Sequence, residues 1–335
     1  MKTARTQCTL RMPEMWTVEI TKKKILALPR AIRRGDITRM MKTAFLGLGA
    51  IGTPMARHVA ARSSLAVWNR TADTATAFGA ATGATVAPTP AAAATAAAVV
   101  ITCLPTSREV EGLLDSADGL LAGMAAGTLL IDCTSGDPAS SRRMAARLAE
   151  RGIAFIDAPV SGGVSGAEAG TLTVMCGGDE VTFARARPIL EWFGRKIVLV
   201  GPVGSGDALK AVNNALLAVH IWSTAEGLAA LARAGVKPSA ALDVINASSG
   251  RSNTSENLIP QRVVTRAFPR TFRLALLEKD VAIAADFLRD QRVPSPVIQQ
   301  VAELFRLARH ELGETADHVE VVRLLEEWSD IVITD

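Results

Sequence analysis

The chain has 335 residues, 49% hydrophobic and 21% charged, with a formal net charge of +4. That composition is globular and excludes a fibrous, low-complexity or disulfide-stapled chain, and the length favours two domains over one core. The four cysteines (Cys8, Cys103, Cys133, Cys176) form no C-x-x-C pair and the four histidines show no metal-ligand spacing. Free thiols, a cytoplasmic location and no metal are therefore expected.

Residues 1–40 come first and hold ten Lys/Arg against three Asp/Glu, while the rest of the chain holds 27 against 30. The basicity belongs to this segment and not to a groove, so no nucleic-acid partner is expected. It lacks serine, a long apolar run and a periodic apolar face, and reads as a disordered extension or as residues ahead of a true start at Met40 or Met41. No run of membrane-spanning length is evident; the longest candidate, Ala91 to Leu104, is mostly alanine. No membrane partner is expected.

Next, Ala44 to Leu46 reads as a short strand feeding the turn Gly47-Leu48-Gly49-Ala50-Ile51-Gly52, and a helical pattern follows. This is G-x-G-x-x-G in a strand–turn–helix setting. The first glycine allows a tight turn, the second lets backbone approach a pyrophosphate, and the third lets the helix pack on the strand. The helix N-terminus offers unpaired N–H groups to the phosphates, and Pro54 in its first turn costs little.

A second strand is predicted over Leu65 to Asn69. Apolar runs recur at Thr85-Val86, Ala98 to Leu104, Thr128 to Asp132, Ile153 to Asp157, Leu172 to Cys176 and Lys196 to Val200. Helical patterns such as Pro138 to Glu150 and Glu180 to Phe193 lie between them, and the alanine-rich Pro88 to Ala98 reads as a plain helix. The alternation predicts βαβ units in a mostly parallel sheet. Past Gly201-Pro-Val-Gly-Ser-Gly206 the strand signals vanish. Helices are predicted over Asp207 to Ala234, Ser239 to Asn246, Leu274 to Arg289, Pro296 to Leu312 and His318 to Trp328, with Asn246 to Asn257 and Val293 to Pro296 as breaks. The expected fold class is α/β: a Rossmann-type doubly wound sheet over residues 41–203, then an all-helical domain over 204–335.

Three further places carry chemistry. The second strand ends in Asn69-Arg70-Thr71, with no carboxylate before Asp73. An arginine with hydroxyl and amide neighbours suits a ribose 2′-phosphate, which an acid would repel, so NADP is favoured over NAD. Lys210 and Asn214 lie four residues apart on one helix face among Ala211, Val212 and Ala215. Burial there lowers a lysine pKa and suits it to proton exchange with a substrate hydroxyl, although taken alone such a pair is more often structural. Ser161-Gly162-Gly163, after the strand ending at Asp157, offers a hydroxyl and two bare N–H groups as a carboxylate nest; an ordinary glycine-rich loop is the other reading.

The fingerprint, Asp157-Ala-Pro-Val-Ser-Gly-Gly163, Lys210-x-x-Asn-Asn214 and Lys279-Asp280 occur together and in order. In this the chain resembles the β-hydroxyacid dehydrogenases, the group of 3-hydroxyisobutyrate dehydrogenase and of tartronate, glyoxylate and succinic semialdehyde reductases, over roughly residues 42–330. The resemblance implies Lys210 as catalytic acid/base, Asn214 as its substrate-orienting neighbour, and Ser161, Gly162 and Gly163 around the substrate carboxylate. It implies that Ser135 touches substrate and nicotinamide, that Leu104-Pro105 lies along the cofactor, that Phe272 and Asp280 close the pocket, and that Lys279 reaches the cofactor. A hydroxy acid or semialdehyde substrate and a homodimer or homotetramer follow from it as well. Two positions depart from the family pattern: Ile51 replaces a usual methionine, and Asn253 stands where several relatives have an aromatic, which shifts the expected substrate toward a more polar or longer acid. An imine reductase on the same scaffold replaces the lysine. A silent NADP-binding module would not require Lys210 and Asn214.

Overall fold

The computed structural model describes residues 41–335; the readings made for residues 1–40 lie outside the described residues. Strands and helices alternate through β1 (Lys42–Leu46), α1 (Gly52–Ala60), β2 (Ser64–Trp68), α2 (Ala72–Thr82), β3 (Thr85–Val86), α3 (Pro90–Ala94), β4 (Val99–Thr102), α4 (Ser107–Asp115) and α5 (Leu120–Gly123). They continue through β5 (Leu129–Asp132), α6 (Pro138–Ala149), β6 (Ala154–Asp157), β7 (Val160–Ser161), α7 (Gly163–Ala169), β8 (Leu172–Gly177), α8 (Glu180–Leu190) and β9 (Gly194–Gly201). The sheet runs β3-β2-β1-β4-β5-β6 with every neighbour parallel, the strand order of a doubly wound nucleotide-binding fold. Beyond β6 comes β8, antiparallel to β6 and β7 but parallel to β9.

Side chains alternate across this sheet. Phe45, Val67, Ile101 and Ile131 enter the core on one face, and Ala44, Leu46, Val100 and Leu130 enter the core on the other. Both rows are buried, because helices cover both faces of a parallel sheet. The register also places the strand ends level: Trp68 pairs Leu46, Leu46 pairs Thr102, Thr102 pairs Asp132 and Asp132 pairs Asp157. Every loop that the sequence marked for chemistry in this part leaves that one row.

From Ser205 the chain is helical: α9 (Ser205–Arg233), α10 (Pro238–Asn246), a π-helix (Thr254–Val264), α11 (Leu274–Asp290), α12 (Pro296–Leu312), a 3₁₀ turn (His318–Glu320) and α13 (Val321–Ser329). With 29 residues, α9 is roughly 43 Å long. Ala211, Ala215, Ala218, Ala225 and Ala229 line its buried side, so neighbouring helices approach closely and Leu277, Val281, Phe305 and Val322 fill the space between.

Several sequence readings need correction. The helix expected over Pro88 to Ala98 is only α3, because Thr95 turns to ψ 123° and Ala96 adopts φ +60°. The break expected over Asn246 to Asn257 contains the start of the π-helix, whose wider turn does not generate the 3.6-residue pattern used to find helices. At its start, Ser252 and Ser255 satisfy each other through side-chain bonds, the usual mark of a loop. Contrary to the reading that no run is long enough, α9 has the length and apolarity to cross a membrane, with a window of mean hydropathy 1.4. In the fold it buries Asp207, Lys210 and Asn214 and packs on β8, α11, α12 and α13. Cys103, Cys133 and Cys176 are free, and burial pushes the Cys103 and Cys176 thiols up to about 12, so they stay protonated.

Candidate active site

The fingerprint turn is closed by close backbone approach. Gly47 sits at φ +101°, and a Cβ there would lie 2.2 Å from the Cys103 carbonyl oxygen. A Cβ on Gly52 would lie 2.0 Å from the Gly47 carbonyl oxygen, whereas one on Gly49 meets nothing within 4 Å. Two glycines thus permit the fold, and the third leaves exposed backbone for a ligand. The turn is tied to the end of β2: Leu48 N–H donates to Asn69 Oδ1 at 3.0 Å, and Asn69 Nδ2 donates to the Thr71 carbonyl at 3.1 Å. No side chain caps α1; Thr53 N–H donates to the Gly49 carbonyl at 2.9 Å and Pro54 has no N–H, so among the described residues the turn leaves the N–H groups of Ala50, Ile51 and Gly52 without a partner, free for an anion. Beside this turn a cavity of about 460 Å³ is lined by Trp68, Asn69, Arg70, Val86, Ala87 and Pro88 among others. These residues fit a dinucleotide, with bare backbone and a helix N-terminus for pyrophosphate and a half-apolar cavity bearing an exposed arginine for the adenosine end.

The helical region meets the strand ends opposite this turn. Lys279 Nζ on α11 donates to the Pro105 carbonyl at 3.1 Å and to the Ser135 carbonyl, joining both loops to the helices. It also pairs with Asp280 Oδ1 at 2.9 Å. Asp280 in turn accepts from Asn214 Nδ2 at 2.6 Å, which links α11 to α9. Lys210 lies one turn before Asn214, with 9% of its surface exposed. Among the described residues it has no hydrogen-bond or ion-pair partner, since Asp280 is engaged by Asn214 and Lys279. Burial pulls its pKa below the ordinary 10.5; Asp280 pulls upward and Lys279 adds to the lowering. A buried amine with a free Nζ is equipped to exchange a proton with a bound oxygen.

The two loops under Lys279 are braced from below. Thr134 Oγ1 accepts from Leu104 N–H at 3.0 Å, while Asp132 accepts from Thr102 Oγ1 at 2.8 Å and from Thr134 N–H at 3.0 Å. Burial raises the Asp132 pKa, and those donors work against the rise. Ser161 forms β7 with Val160, and Gly162 (φ +138°) and Gly163 (φ +65°) turn into α7, leaving both glycines exposed. A Cβ on Gly163 meets nothing within 4 Å, so the nest is open on that side.

Of the residues picked from the sequence, Asn214, Lys279, Asp280, Pro105 and Ser135 are joined through the contacts above, Leu104 through Thr134, and Lys210 lies one turn from Asn214 on the same helix. Gly47 to Gly52 and Asn69 are joined at the neighbouring strand ends, with Arg70 and Thr71 on the loop that follows. Phe272 is held within the helical region: Asp317 accepts from its N–H at 2.9 Å and its ring lies 5.4 Å from that of His318. Asn253 is exposed ahead of the π-helix, accepting from Asn257 Nδ2 at 3.0 Å. Sequence reasoning missed Val86, Ala87 and Pro88, which wall the adenosine-end cavity, and Thr102, Thr134, Ser141 and Asp207, which brace the loops. Apolar residues at a strand end and lone polar residues in a strand, a loop or a helix carry no local signal.

A Rossmann sheet with a fingerprint shaped for a dinucleotide, met by helices that bring a buried lysine to its strand ends, is the architecture of an NAD(P)-dependent dehydrogenase. Residues 42–201 match the family described as the NAD binding domain of 6-phosphogluconate dehydrogenase, and residues 204–325 match NAD-binding of NADP-dependent 3-hydroxyisobutyrate dehydrogenase. The chain is 33% identical to 2-(hydroxymethyl)glutarate dehydrogenase of Eubacterium barkeri over 88% of this chain and 98% of that one. It is 37% identical to the NAD-dependent L-serine dehydrogenase of Pseudomonas aeruginosa over 80% and 92%. A structure of Mycobacterium tuberculosis 3-hydroxyisobutyrate dehydrogenase with L-serine superposes with a TM-score of 0.78 at 33% identity, covering 85% of this chain and 99% of that one. The chain belongs to the β-hydroxyacid dehydrogenase family and is an NAD(P)-dependent enzyme of it.

Proposed function

We propose that this enzyme interconverts a short β-hydroxy acid and its semialdehyde or keto form, with NADP(H) preferred and Lys210 as acid/base. The observation that carries the reading is the buried, unpartnered Lys210 Nζ, one helical turn from Asn214 and in the field of Asp280 and of Lys279, which bonds the loops of Pro105 and Ser135. When bound, the nicotinamide donates or accepts the hydride. In the reducing direction Lys210 gives a proton to the carbonyl oxygen as that oxygen gains charge; in the oxidising direction the neutral amine takes the hydroxyl proton. Asn214 is held by Asp280 through its Nδ2, which leaves its remaining N–H to orient the same oxygen. Ser161 and the N–H groups of Gly162 and Gly163 take the carboxylate, Ser135 contacts substrate and nicotinamide, and Phe272 and Asp280 close the pocket. Lys279 reaches the cofactor from the carbonyls it now holds.

NADP is favoured because Arg70 and Thr71 follow β2 where an acid would favour NAD, and Arg70 lines the adenosine-end cavity. Asn253 in place of an aromatic supports an acid more polar or longer than 3-hydroxyisobutyrate. Exposed Leu209 and Leu216, seven residues apart on α9, support self-association into a dimer or tetramer. The experiment is a substrate screen that follows NADPH and NADH consumption across C2–C5 semialdehydes and keto acids. Turnover confined to imines, or none in a folded protein that binds NADPH, refutes the reading.

A further inference from the structure

Two buried carboxylates lie between the active-site loops and take no part in the chemistry above. Asp157, at the end of β6, accepts from Gly204 N–H through Oδ1 at 2.7 Å and from Asp207 N–H through Oδ2 at 3.1 Å. It caps the N-terminus of α9 from another element, because the capping position itself is a glycine. Asp207, one turn before Lys210 on α9, accepts from Gly136 N–H through Oδ1 at 3.0 Å and from Ser141 Oγ through Oδ2 at 2.6 Å. Gly136 follows Ser135, so this carboxylate grips the Ser135 loop, as Asp157 grips the helix from the strand that leads into Ser161. All four oxygens are used, and the exposures are 0% for Asp157 and 1% for Asp207.

Glycines crowd against the pair. A Cβ on Gly177 would lie 2.5 Å from Asp157 Oδ1, and one on Gly206 would lie 2.8 Å from Asp157 Oδ2. A Cβ on Gly136 would lie 3.2 Å from Asp207 Oδ2. At Gly177 the carboxylate is the nearest obstacle, whereas the Met175 carbonyl oxygen at Gly206 (2.3 Å) and Ser107 Oγ at Gly136 (2.6 Å) are nearer still, so all three glycines sit in the crowding around the pair.

We propose that Asp157 and Asp207 are positioning residues: a carboxylate clasp that holds the Lys210 helix in register with the Ser135 and Ser161 loops. Its catalytic consequence rests on the acid/base reading of Lys210. The two members differ chemically. Both partners of Asp157 are backbone N–H groups, which only donate, whereas Ser141 can donate to Asp207 or accept from it. A proton on Asp207 Oδ2 keeps the Ser141 contact with its direction reversed. That tolerance fits a pKa held well above the carboxylate range by burial and by the charges of Asp157 and Asp132.

The test is steady-state kinetics with NADPH and the best substrate on the full chain, alongside hydrogen exchange over residues 204–214. Asp207→Asn retains an acceptor for Gly136 and a donor for Ser141, and is expected to keep kcat within a few-fold of the parent. Asp157→Asn sets an amide NH₂ against a backbone N–H that cannot reverse. It is expected to lower kcat by about 100-fold, the effect of a misplaced catalytic group, with the Kd for NADPH little changed and faster exchange over 204–214. Asp207→Ala is expected to behave like Asp157→Asn. Equal damage from Asp207→Asn and Asp207→Ala, or a wild-type rate in Asp157→Asn, overturns the clasp. If Asp157→Asn does not fold, Ser141→Ala cuts one contact on the side away from the site; unchanged kcat and unchanged exchange in that variant overturn it as well. Lys210→Met leaves the clasp intact. If it turns over normally while the clasp variants exchange faster, the acid/base assignment fails and the clasp stands.

Discussion

Replacing Lys210 by methionine removes an ammonium and keeps an unbranched stem of similar volume, so it separates the chemistry of the residue from its packing. Lys210 is buried beside Asp280, whose carboxylate is already held by Asn214 and Lys279. Losing the amine therefore leaves no acceptor abandoned. The lowered pKa of Lys210 says that folding disfavours its charged form, chiefly through burial, so Tm is expected to hold or rise. Activity should move the other way. A positioned acid/base is worth roughly 10²–10⁴-fold in rate, or about 3–5 kcal/mol of barrier, and kcat should fall by that factor. Cofactor binding, read by NADPH fluorescence, should stay near the parent value because Lys210 is not part of the fingerprint turn. The assay is kcat and Kd for both proteins with a thermal melt of each. Turnover within a few-fold of the parent refutes the acid/base role, and a Tm lower by many degrees makes the residue structural instead.

The pH profile of hydroxy acid oxidation should rise with pH to an inflection below 10.5, since the neutral amine is the base; Asp280→Asn, which removes the charge that favours the ammonium, should move that inflection down, and a move upward refutes the coupling. Arg70→Asp should turn the cofactor preference from NADPH toward NADH by about 10–100-fold in kcat/KM, the worth of a charge-assisted bond exchanged for repulsion; a parent enzyme that already prefers NADH refutes the assignment. Gly52→Ala sets a methyl 2.0 Å from the Gly47 carbonyl oxygen and 3.3 Å from the Phe45 ring, so it should lower Tm and weaken NADPH binding together; unchanged Kd with unchanged Tm would mean that the turn is not closed as described.

What could be read from the sequence follows how far each feature reaches along the chain. The fingerprint is contiguous, and its glycines answer to contacts a few residues away, as with Gly52 against Gly47. Lys210 and Asn214 share a helix face by spacing alone. The parallel strands announced themselves as apolar runs because both faces of the sheet are covered. The π-helix escaped because its period is not the one that amphipathic helices show, and two-residue β7 because its Ser161 opens the segment that reads as a glycine-rich loop. The loop braces escaped for a different reason. Thr102 meets Asp132 across 30 residues, Asp157 meets Asp207 across 50, and Ser141 meets Asp207 across 66. Each looks unremarkable in its own segment. An aspartate at a strand end and another in a first helical turn have ordinary local explanations, and only the tertiary fold shows that the two meet. The residues proposed to carry proton transfer lie close together on one element and are legible, whereas those that hold that element against the sheet are distributed over the sheet's loops and become visible only when the strand ends are brought level.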